Sequence, residues 1–301
     1  MSKVFGIDLS SWQGGYPYSK ATKEGVKFAI LRAGFSQTKD SQFETHYKNA
    51  KKQGWGVGAY WYTYAESVAE AKKEAQTFLK VIKGKKFEYP IYLDIEDGSL
   101  RKLGKTTLNG IVNEFAKVIQ NAGYYFGVYT NVDWYRNKIS GTTLNKKYDW
   151  WIASWGKTKP SGIDAGLWQF GGSYNEIRSN KVAGVTTDQD YAYKDYPTIM
   201  KQEGLNGYKK TTPTTGTYKT LYAMNIRCDA DKKSEQLLVK DLTAGDKKKV
   251  KYTKQNAKAI YKKGITFKVT EIKQNGKAYW GKCPSGWVCL KGAIRTYCKK
   301  I

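Results

Sequence analysis

The first two thirds of the chain alternate between short apolar segments and longer polar ones. Eight of the apolar segments have the length and the β-branched and aromatic content of strands, and they lie at 4–9, 28–34, 56–64, 89–97, 124–131, 149–155, 166–171 and 186–191. Apolar residues recur at the spacing of one helix face in three connections, at 40–53, 67–83 and 105–122, and Gly84 supplies a stop signal for the second. The order of strand, helix and strand predicts a parallel sheet.

Eight strands in such a sheet suggest a barrel. After the fifth strand, however, the connections are short and contain Gly, Pro, Ser and Asn, so the last three strands lack full covering helices. The predicted fold class is therefore α/β, an incomplete (β/α) barrel with five βα units followed by three strands. In barrels of this kind the active site lies at the carboxyl ends of the strands.

The pattern changes after residue 200. The segment Lys209–Thr217 is polar and is broken by Pro213 and Gly216, which is typical of a linker. Short strand-type runs follow at 221–227, 265–272, 278–282 and 286–290, and they predict a small all-β domain. We therefore predict three parts, which are a barrel at 1–200, a linker at 201–217 and an all-β domain at 218–301.

Acidic residues stand at the ends of three predicted strands. Asp94 and Glu96 end the fourth strand at positions i and i+2, so their side chains share a face about 7 Å apart. Asp8 lies near the end of the first strand, and Asp188 and Asp190 lie in the last. Paired carboxyl groups at such a spacing are used in acid-assisted cleavage of glycosidic bonds. The alternative interpretation is a strand that runs out into a solvated acidic turn.

Several motifs in a fixed order accompany these acids, namely FGIDLSSWQG, YLDIED, WIASW, LWQF and TDQDYAY. Over about residues 1–196 the chain resembles glycoside hydrolase family 25, the Chalaropsis-type lysozymes that are common among phage endolysins and bacterial autolysins. The resemblance implies hydrolysis of the β-1,4 bond from N-acetylmuramic acid to N-acetylglucosamine in peptidoglycan. Asp188 matches the family aspartate in the last motif, whereas Asp190 stands where the family usually has Asn.

Position and chemistry suggest a role for each acid. Glu96 is predicted to be the general acid, because its longer side chain at the strand tip reaches toward the scissile bond and nearby ionised acids raise its pKa. Asp94 is predicted to stay charged, either as a nucleophile or as the group that orients the N-acetyl group of the substrate. Asp8 and Asp188 are predicted to support this pair.

Aromatic side chains are frequent, with 10 Trp and 24 Tyr, and many lie where strands end. Their rings suit the apolar faces of pyranoses, although more than half of them are expected simply to pack in the core. By position we predict substrate contacts for Tyr60, Tyr62, Trp155, Arg32, Gln169 and Asp190.

The last part of the chain carries most of the positive charge. Residues 1–200 hold 28 Lys and Arg against 19 Asp and Glu, a net of +9, and residues 201–301 hold 24 against 7, a net of +17, which together give the +26 of the whole chain. No nucleic-acid-binding motif accompanies these lysines, so we predict attraction to anionic polymers of the bacterial wall and not to nucleic acid. The alternative is that the lysines only keep the domain soluble.

The all-β part resembles bacterial SH3-like cell-wall modules. The resemblance is carried by Asn225-Ile226-Arg227, by the Lys263-Gly264 turn and by Gly286-Trp287-Val288. It implies wall contacts made by aromatic residues, for which we select Trp280 and Trp287. A small all-β barrel of another family is the alternative.

Cysteine and histidine usage disfavours metal chemistry. The four cysteines, all in the last part, form no Cys-x-x-Cys pair, and His46 is the single histidine. We therefore predict neither a metal site nor a cofactor, and a zinc-dependent amidase or peptidase is disfavoured.

No run of about 20 apolar residues and no signal peptide is visible in the sequence. We accordingly expect no membrane insertion. We also expect the protein to be a phage endolysin, which stays in the host bacterial cytoplasm until a holin-type pore releases it onto the cell wall. Two other classes stay open, which are another β-glycosidase such as a chitinase and a catalytically inactive wall-binding protein.

Overall fold

The computed structural model describes residues 3–210, 212–292 and 296–301. The chain forms two units, Met1–Lys209 and Lys210–Ile301. The first unit contains the strands β1 (Val4–Leu9), β2 (Phe28–Phe35), β3 (Thr38–Lys39), β4 (Gly56–Tyr62), β5 (Ile91–Asp94), β6 (Phe126–Asn131), β7 (Asp149–Ala153), β8 (Leu167–Gly171), β9 (Lys181–Val182), β10 (Val185–Thr186) and β11 (Asp188–Ala192). Its helices are α1 (Tyr18–Lys23), α2 (Phe43–Lys52), α3 (Val68–Ile82), α4 (Lys105–Asn121), α5 (Gly141–Leu144) and α6 (Tyr196–Glu203).

Eight strands of the first unit close into a barrel. Their order is β1, β2, β4, β5, β6, β7, β8 and β11, and β11 returns to pair with β1. All neighbours are parallel except β11, which is antiparallel to both β8 and β1. The prediction of an all-parallel sheet is therefore wrong for the last strand. The connection that precedes this strand holds the hairpin of β9 and β10 and no crossover helix, and a parallel return requires a crossover.

The helical layer covers only part of this closed sheet. Helices α2, α3 and α4 fill the connections in which helical spacing was predicted. Between β6 and β7 the chain forms only a π-helical turn at Trp134–Lys138 and the four-residue α5, and no helix separates β7 from β8. The sheet itself is closed, and the prediction of a fifth βα unit is wrong, because the connection after β6 holds no longer helix than α5.

The core of the barrel has two layers, as the alternation of side chains along the strands requires. Outward residues such as Trp61 pack under the helices against Phe78, which in turn contacts Phe115. Inward residues such as Tyr92 pack against Trp151 inside the barrel. Large rings fit inside because facing positions are glycine, so any side chain at Gly127, for example, would collide with the ring of Tyr92.

The barrel ends later in the sequence than predicted. Helix α6 places Tyr196 against Tyr89 at the start of β5, with 5.4 Å between ring centroids. Beyond α6, the Asn206 side chain accepts a hydrogen bond from the Tyr125 backbone N–H at 2.7 Å and donates to the Tyr89 carbonyl at 2.8 Å. The predicted boundary at 200 and the linker at 201–217 are thus wrong up to residue 209, because these residues close the amino end of the barrel. Residue 211 of that linker lies outside the described residues.

The second unit consists of short antiparallel strands with their own apolar core. The strands are β12 (Gly216–Thr220), β13 (Met224–Asn225), β14 (Ile260–Tyr261), β15 (Thr266–Val269), β16 (Glu271–Asn275), β17 (Ala278–Lys282), β18 (Trp287–Lys291) and β19 (Cys298–Lys300), and α7 (Ala244–Lys247) is one turn long. They form three sheets, in the orders β15-β12-β19, β13-β14 and β16-β17-β18. The all-β prediction for this part is confirmed. Among the described residues of both units, no helix has the length and apolar character to span a membrane.

Candidate active site

Five carboxyl groups meet at one end of the barrel. Asp8 lies near the end of β1, Asp94 is the last residue of β5, and Glu96 follows two residues later. Asp188 begins β11 and pairs in register with Asp8, because β11 runs against β1, and Asp190 lies two residues along β11. The structure therefore brings together the four predicted catalytic acids. The last strand presents its acids at its amino end and not at its carboxyl end, contrary to the prediction.

Asp94 and Glu96 differ in how deeply they are buried. Asp94 is buried, its Oδ1 atom has no hydrogen-bond partner among the described residues, and burial raises its pKa well above the usual range, with the charge of Glu96 adding to the shift. Glu96 is half-buried and accepts a hydrogen bond from Nδ2 of Asn131 at 3.2 Å. Burial also raises the pKa of Glu96, and Asp188 raises it further, although the bond from Asn131 opposes both. Burial thus favours a proton on Asp94, contrary to the prediction that this acid stays charged, and coupled carboxyl groups of this kind can keep one proton and one negative charge between them.

Asp8, Asp188 and Asp190 form the other half of the cluster. Burial raises the pKa of Asp188 to about 6. Burial also raises the pKa values of Asp8 and Asp190 well above the usual range, and the charge of Asp188 contributes to both shifts. None of the three makes an ion pair with a described lysine or arginine. The cluster is therefore a set of acids with raised pKa values and without a balancing cation in contact.

Three of the residues predicted to bind substrate border the open end of the barrel. Arg32 donates from Nε to Asp40 Oδ2 at 2.7 Å and from Nη2 to the hydroxyl of Ser11 at 2.7 Å, which fixes its guanidinium. Tyr62 is half-buried and donates its hydroxyl to Asp97 at 2.9 Å. Trp155 is 41% exposed. These positions are consistent with substrate contacts, which stay a prediction.

The other three residues predicted to bind substrate point into the protein. Tyr60 is buried and its ring meets that of Trp151 edge-on. Gln169 is buried and donates from Nε2 to Asp8 Oδ2 at 2.9 Å. Asp190 is 0% exposed and accepts a hydrogen bond from the indole N–H of Trp151 at 2.7 Å. The prediction of direct substrate contact is wrong for Asp190, because β11 turns its side chain into the barrel.

The sequence profile described as Glycosyl hydrolases family 25 matches residues 7–177. The chain belongs to this family. The match contains Asp8, Asp94 and Glu96 and ends before Asp188 and Asp190, which the structure brings into the same cluster.

Two curated proteins are similar to this family 25 chain. The autolytic lysozyme of Clostridium acetobutylicum is 29% identical over 187 residues, which cover 62% of this chain and 54% of that protein. Lysozyme M1 of Streptomyces globisporus is 29% identical over 203 residues, which cover 63% of this chain and 67% of that protein. The chain thus spans between about half and two thirds of the length of these relatives.

Solved structures share the barrel fold. The bacterial lysozyme from Streptomyces coelicolor superposes with a TM-score of 0.53 at 25% identity, covering 64% of this chain and 93% of that one. The CTP1L endolysin gives a TM-score of 0.52 at 23% identity, covering 63% of this chain and 66% of that one. At this identity the second likeness concerns the fold alone.

Two aromatic residues at the mouth of the family 25 barrel were not predicted from the sequence to bind substrate. Trp12 is 82% exposed on the turn after β1, and Tyr64 is exposed just after β4. They help to enclose a cavity of about 330 Å³ with the side chains of Ser11, Arg32, Phe35 and Tyr62. The available signal was an aromatic residue within a polar turn, as in Ser11-Trp12-Gln13. Asn131 donates a hydrogen bond to Glu96, and the sequence indicated no such role for it beyond its place at the end of a strand.

In the second unit, the two tryptophans predicted to contact the wall are both buried. Trp280 is 4% exposed and Trp287 is 7% exposed, and they pack around Ala230. The ring of Trp287 is also covered by the ammonium groups of Lys273 and Lys282, and wall contact by the two tryptophans stays a prediction. Trp280 instead forms part of the lining of a cavity of about 840 Å³.

Within the described ranges, no group of three or more His, Cys, Asp and Glu side chains has the arrangement of a metal site. All four cysteines are free thiols, and Cys283 and Cys298 are buried.

Proposed function

We propose that the first unit is a muramidase, which hydrolyses the β-1,4 bond between N-acetylmuramic acid and N-acetylglucosamine in peptidoglycan. The observation that carries the proposal is the pair Asp94 and Glu96 at the open end of a family 25 barrel, with raised pKa values that have identifiable causes. The lysozyme names of the two curated relatives support the same substrate.

Glu96 is the proton donor in this proposal. It is the half-buried member of the pair, and Asn131 orients its carboxyl group. A raised pKa keeps the proton on Glu96 until the glycosidic oxygen takes it as the bond breaks. Asp94 then carries the negative charge, either as the nucleophile or as the group that orients the acetamido oxygen of the substrate.

The bond that is cut can be identified chemically. Purified peptidoglycan is digested, the new reducing ends are reduced with borohydride, and the reduced sugars are identified. We expect reduced muramic acid, because a muramidase leaves that sugar at the new reducing end. Reduced glucosamine would indicate a glucosaminidase, and newly released amino termini would indicate a peptidase.

We further propose that the second unit is an SH3-like module that attaches the enzyme to anionic polymers of the bacterial wall. Residues 210–301 hold 22 Lys and Arg against 6 Asp and Glu, a net of +16. A unit of this charge attracts polyanions over distances set by the ionic strength. The cavity of about 840 Å³ offers a second mode of binding, because Lys232, Lys233 and Lys277 stand beside its apolar lining.

We also propose that the protein acts as a phage endolysin, which is held in the host bacterial cytoplasm and reaches the wall through a holin-type pore. The support is the motif resemblance to a family common among endolysins. Expression in a susceptible bacterium tests this role. We expect lysis only when a pore-forming protein is produced together with the enzyme, and lysis without a pore would contradict the proposal.

A further inference from the structure

A chain of hydrogen bonds runs from the mouth of the barrel to its interior. Trp155 and Tyr129 both donate to Oε1 of Gln169, at 3.1 Å each. Because that oxygen is occupied as an acceptor, the amide nitrogen of Gln169 must point the other way, and it donates to Asp8 Oδ2 at 2.9 Å. The orientation of Asp8 is thus fixed on one side by a neutral donor.

Asp190 lies on the other side of Asp8. The two residues are diagonal neighbours on one face of the β1–β11 pair, since Gly6 faces Asp190 and Asp8 faces Asp188. Diagonal neighbours on one face of a strand pair lie close enough for their side chains to interact. Trp151 donates to Asp190 Oδ1 at 2.7 Å, and Asp190 Oδ2 is buried with no donor among the described residues.

An indole N–H can only donate, so Asp190 Oδ1 must remain an acceptor. Oδ2 is then the favoured position for a proton on Asp190, because the indole N–H already occupies Oδ1. Two ionised carboxylates in contact, buried and without a cation, are strongly disfavoured, and a proton held between them removes the repulsion. Protonation also supplies the donor that the buried Oδ2 otherwise lacks.

We propose that Asp8 and Asp190 hold one proton between them, and that Asp190 is a positioning residue which keeps Asp8 aimed at the open end of the barrel. The catalytic consequence rests on the proposed glycosidase function, whereas the shared proton does not. When the proton is lost at high pH, repulsion between the two carboxylates displaces Asp8 and activity falls.

Other charged and titratable groups act on this pair, and each neighbouring element contributes to the electrostatic setting. They are Asp188 on β11, Asp94 on β5, Tyr60 on β4, Tyr92 on β5 and Tyr129 on β6. Apart from the tyrosines, which are neutral until high pH, these groups are negative when ionised and oppose loss of the shared proton. Arg32, the cation near Asp94 and Tyr60, is engaged by Asp40.

Two substitutions in the full chain separate the roles of Asp190. In Asp190→Asn, Oδ1 still accepts from Trp151 and Nδ2 donates permanently to Asp8. In Asp190→Ala both interactions are lost. Asp164→Asn, at an exposed acid of the same unit, is the matched control.

The first readout is the pH dependence of kcat and KM on purified peptidoglycan. We expect Asp190→Asn to keep kcat within about threefold of the parent at its optimum and to extend the alkaline limb by about one pH unit or more. Asp190→Ala should lower kcat by about tenfold or more with KM little changed, and Asp164→Asn should match the parent. An alkaline limb in Asp190→Asn that coincides with that of the parent would overturn the proposal. So would loss of activity at every pH in a folded Asp190→Asn protein, because the carboxylate itself would then be required.

The second readout needs no substrate and is the denaturation midpoint of the barrel as a function of pH. The native pair retains a proton that the unfolded chain releases above about pH 4, so the parent loses stability as the pH rises from there toward the pKa of the pair. In Asp190→Asn this pair holds no titrating proton, so its contribution to the loss of stability is absent. We expect its midpoint to exceed that of the parent by a margin that grows from pH 4 to pH 8, and a constant margin would refute the shared proton. If the parent fails to cleave peptidoglycan, the muramidase proposal is wrong. The denaturation measurement still shows whether Asp8 and Asp190 share a proton.

Discussion

The two units of this chain use charge in opposite ways. The barrel buries acids such as Asp94 and Asp190, and the pKa values of these groups rise because water no longer solvates their charges. The second unit instead gathers an excess of lysines, such as those at 247–249, and many of them stay in contact with solvent. Buried charge changes proton affinity and supports local chemistry, whereas exposed charge acts at a distance and is screened by salt. The proposed catalysis and the proposed attachment are therefore assigned to different parts of the sequence.

The largest expected effect is the loss of the proton donor in the barrel. Glu96→Gln should lower kcat on peptidoglycan by about 10² to 10⁴-fold, because the amide is isosteric but cannot donate the proton. Asp94→Asn should be nearly as severe. The matched control is Glu66→Gln, which removes an exposed carboxylate paired with Lys102 and should leave kcat unchanged. Near-normal turnover by a folded Glu96→Gln protein would place the acid elsewhere.

The second prediction tests whether attachment depends on exposed charge. Residues 210–301 alone should bind intact cell walls, and residues 1–209 alone should still cleave soluble wall fragments. Each unit has its own apolar core, which supports folding of the separate pieces. Raising the salt to about 1 M shortens the Debye length to about 3 Å and should remove most of the wall binding. Pull-down across a salt series, with walls carrying or stripped of phosphate polymers, measures this.

Binding that survives both treatments would locate recognition in the cavity and not in the lysines. Tyr222→Ala would then weaken binding, because this exposed ring lies at the cavity. If no wall binding occurs under any condition, the attachment role of the second unit is wrong.

The third prediction concerns a buried acid outside the active site. Glu74 on α3 accepts a hydrogen bond from the backbone N–H of Tyr64 at 3.2 Å, its other oxygen has no partner among the described residues, and burial raises its pKa to about 7. Because the folded pKa exceeds the unfolded value, the native state holds this proton more tightly and loses stability as the pH rises from about 4.5 to 7. Glu74→Gln should recover about 2–3 kcal/mol of the free energy of unfolding at pH 8.

The measurement is denaturant unfolding of residues 1–209 from pH 4 to pH 8, with and without Glu74→Gln. The gain should shrink toward pH 4, where the parent already carries the proton. Residues 210–301, which hold 6 Asp and Glu, serve as the comparison over the same range. An equal gain at both ends of the range would show that Glu74 acts by packing and not by titration.

The smallest expected effect belongs to the exposed ring of Trp12. Trp12→Ala should raise KM by about three- to tenfold with kcat nearly unchanged, because ring stacking on a sugar contributes about 0.5–1.5 kcal/mol. Trp12→Tyr is the conservative control and should recover most of the affinity. An unchanged KM in Trp12→Ala would show that the cavity of about 330 Å³ beside Trp12 does not bind substrate.

Much of the barrel could be predicted from the sequence, because strand and helix periodicities are local properties. The same patterns placed Asp8, Asp94 and Glu96 at the ends of strands, and the structure brings them together. The direction of the last strand could not be predicted, since strand-type residues show the same pattern whether the strand is parallel or antiparallel to its neighbours. It follows from the β9–β10 hairpin in the preceding connection.

Burial was harder to predict than position. Trp287 and Asp190 were selected for their chemistry, and each proved to face inward because the partner strand decides which face is covered. The end of the barrel was placed too early for a related reason. Asn206 is an unremarkable polar residue in the sequence, and its importance comes from backbone groups at Tyr89 and Tyr125, more than 80 residues away.

Closure of the barrel by the pairing of its first and last strands also orders events during synthesis. Asp8 and Asp188 face each other across β1 and β11 although 188 − 8 = 180 residues separate them along the chain. Contacts of such long range form late, after more local pairings have reduced the entropy of closing the loop. A nascent chain that has not reached Ala192 cannot assemble its carboxyl cluster. The carboxyl cluster proposed to be catalytic is thus complete only after nearly the whole barrel has left the ribosome.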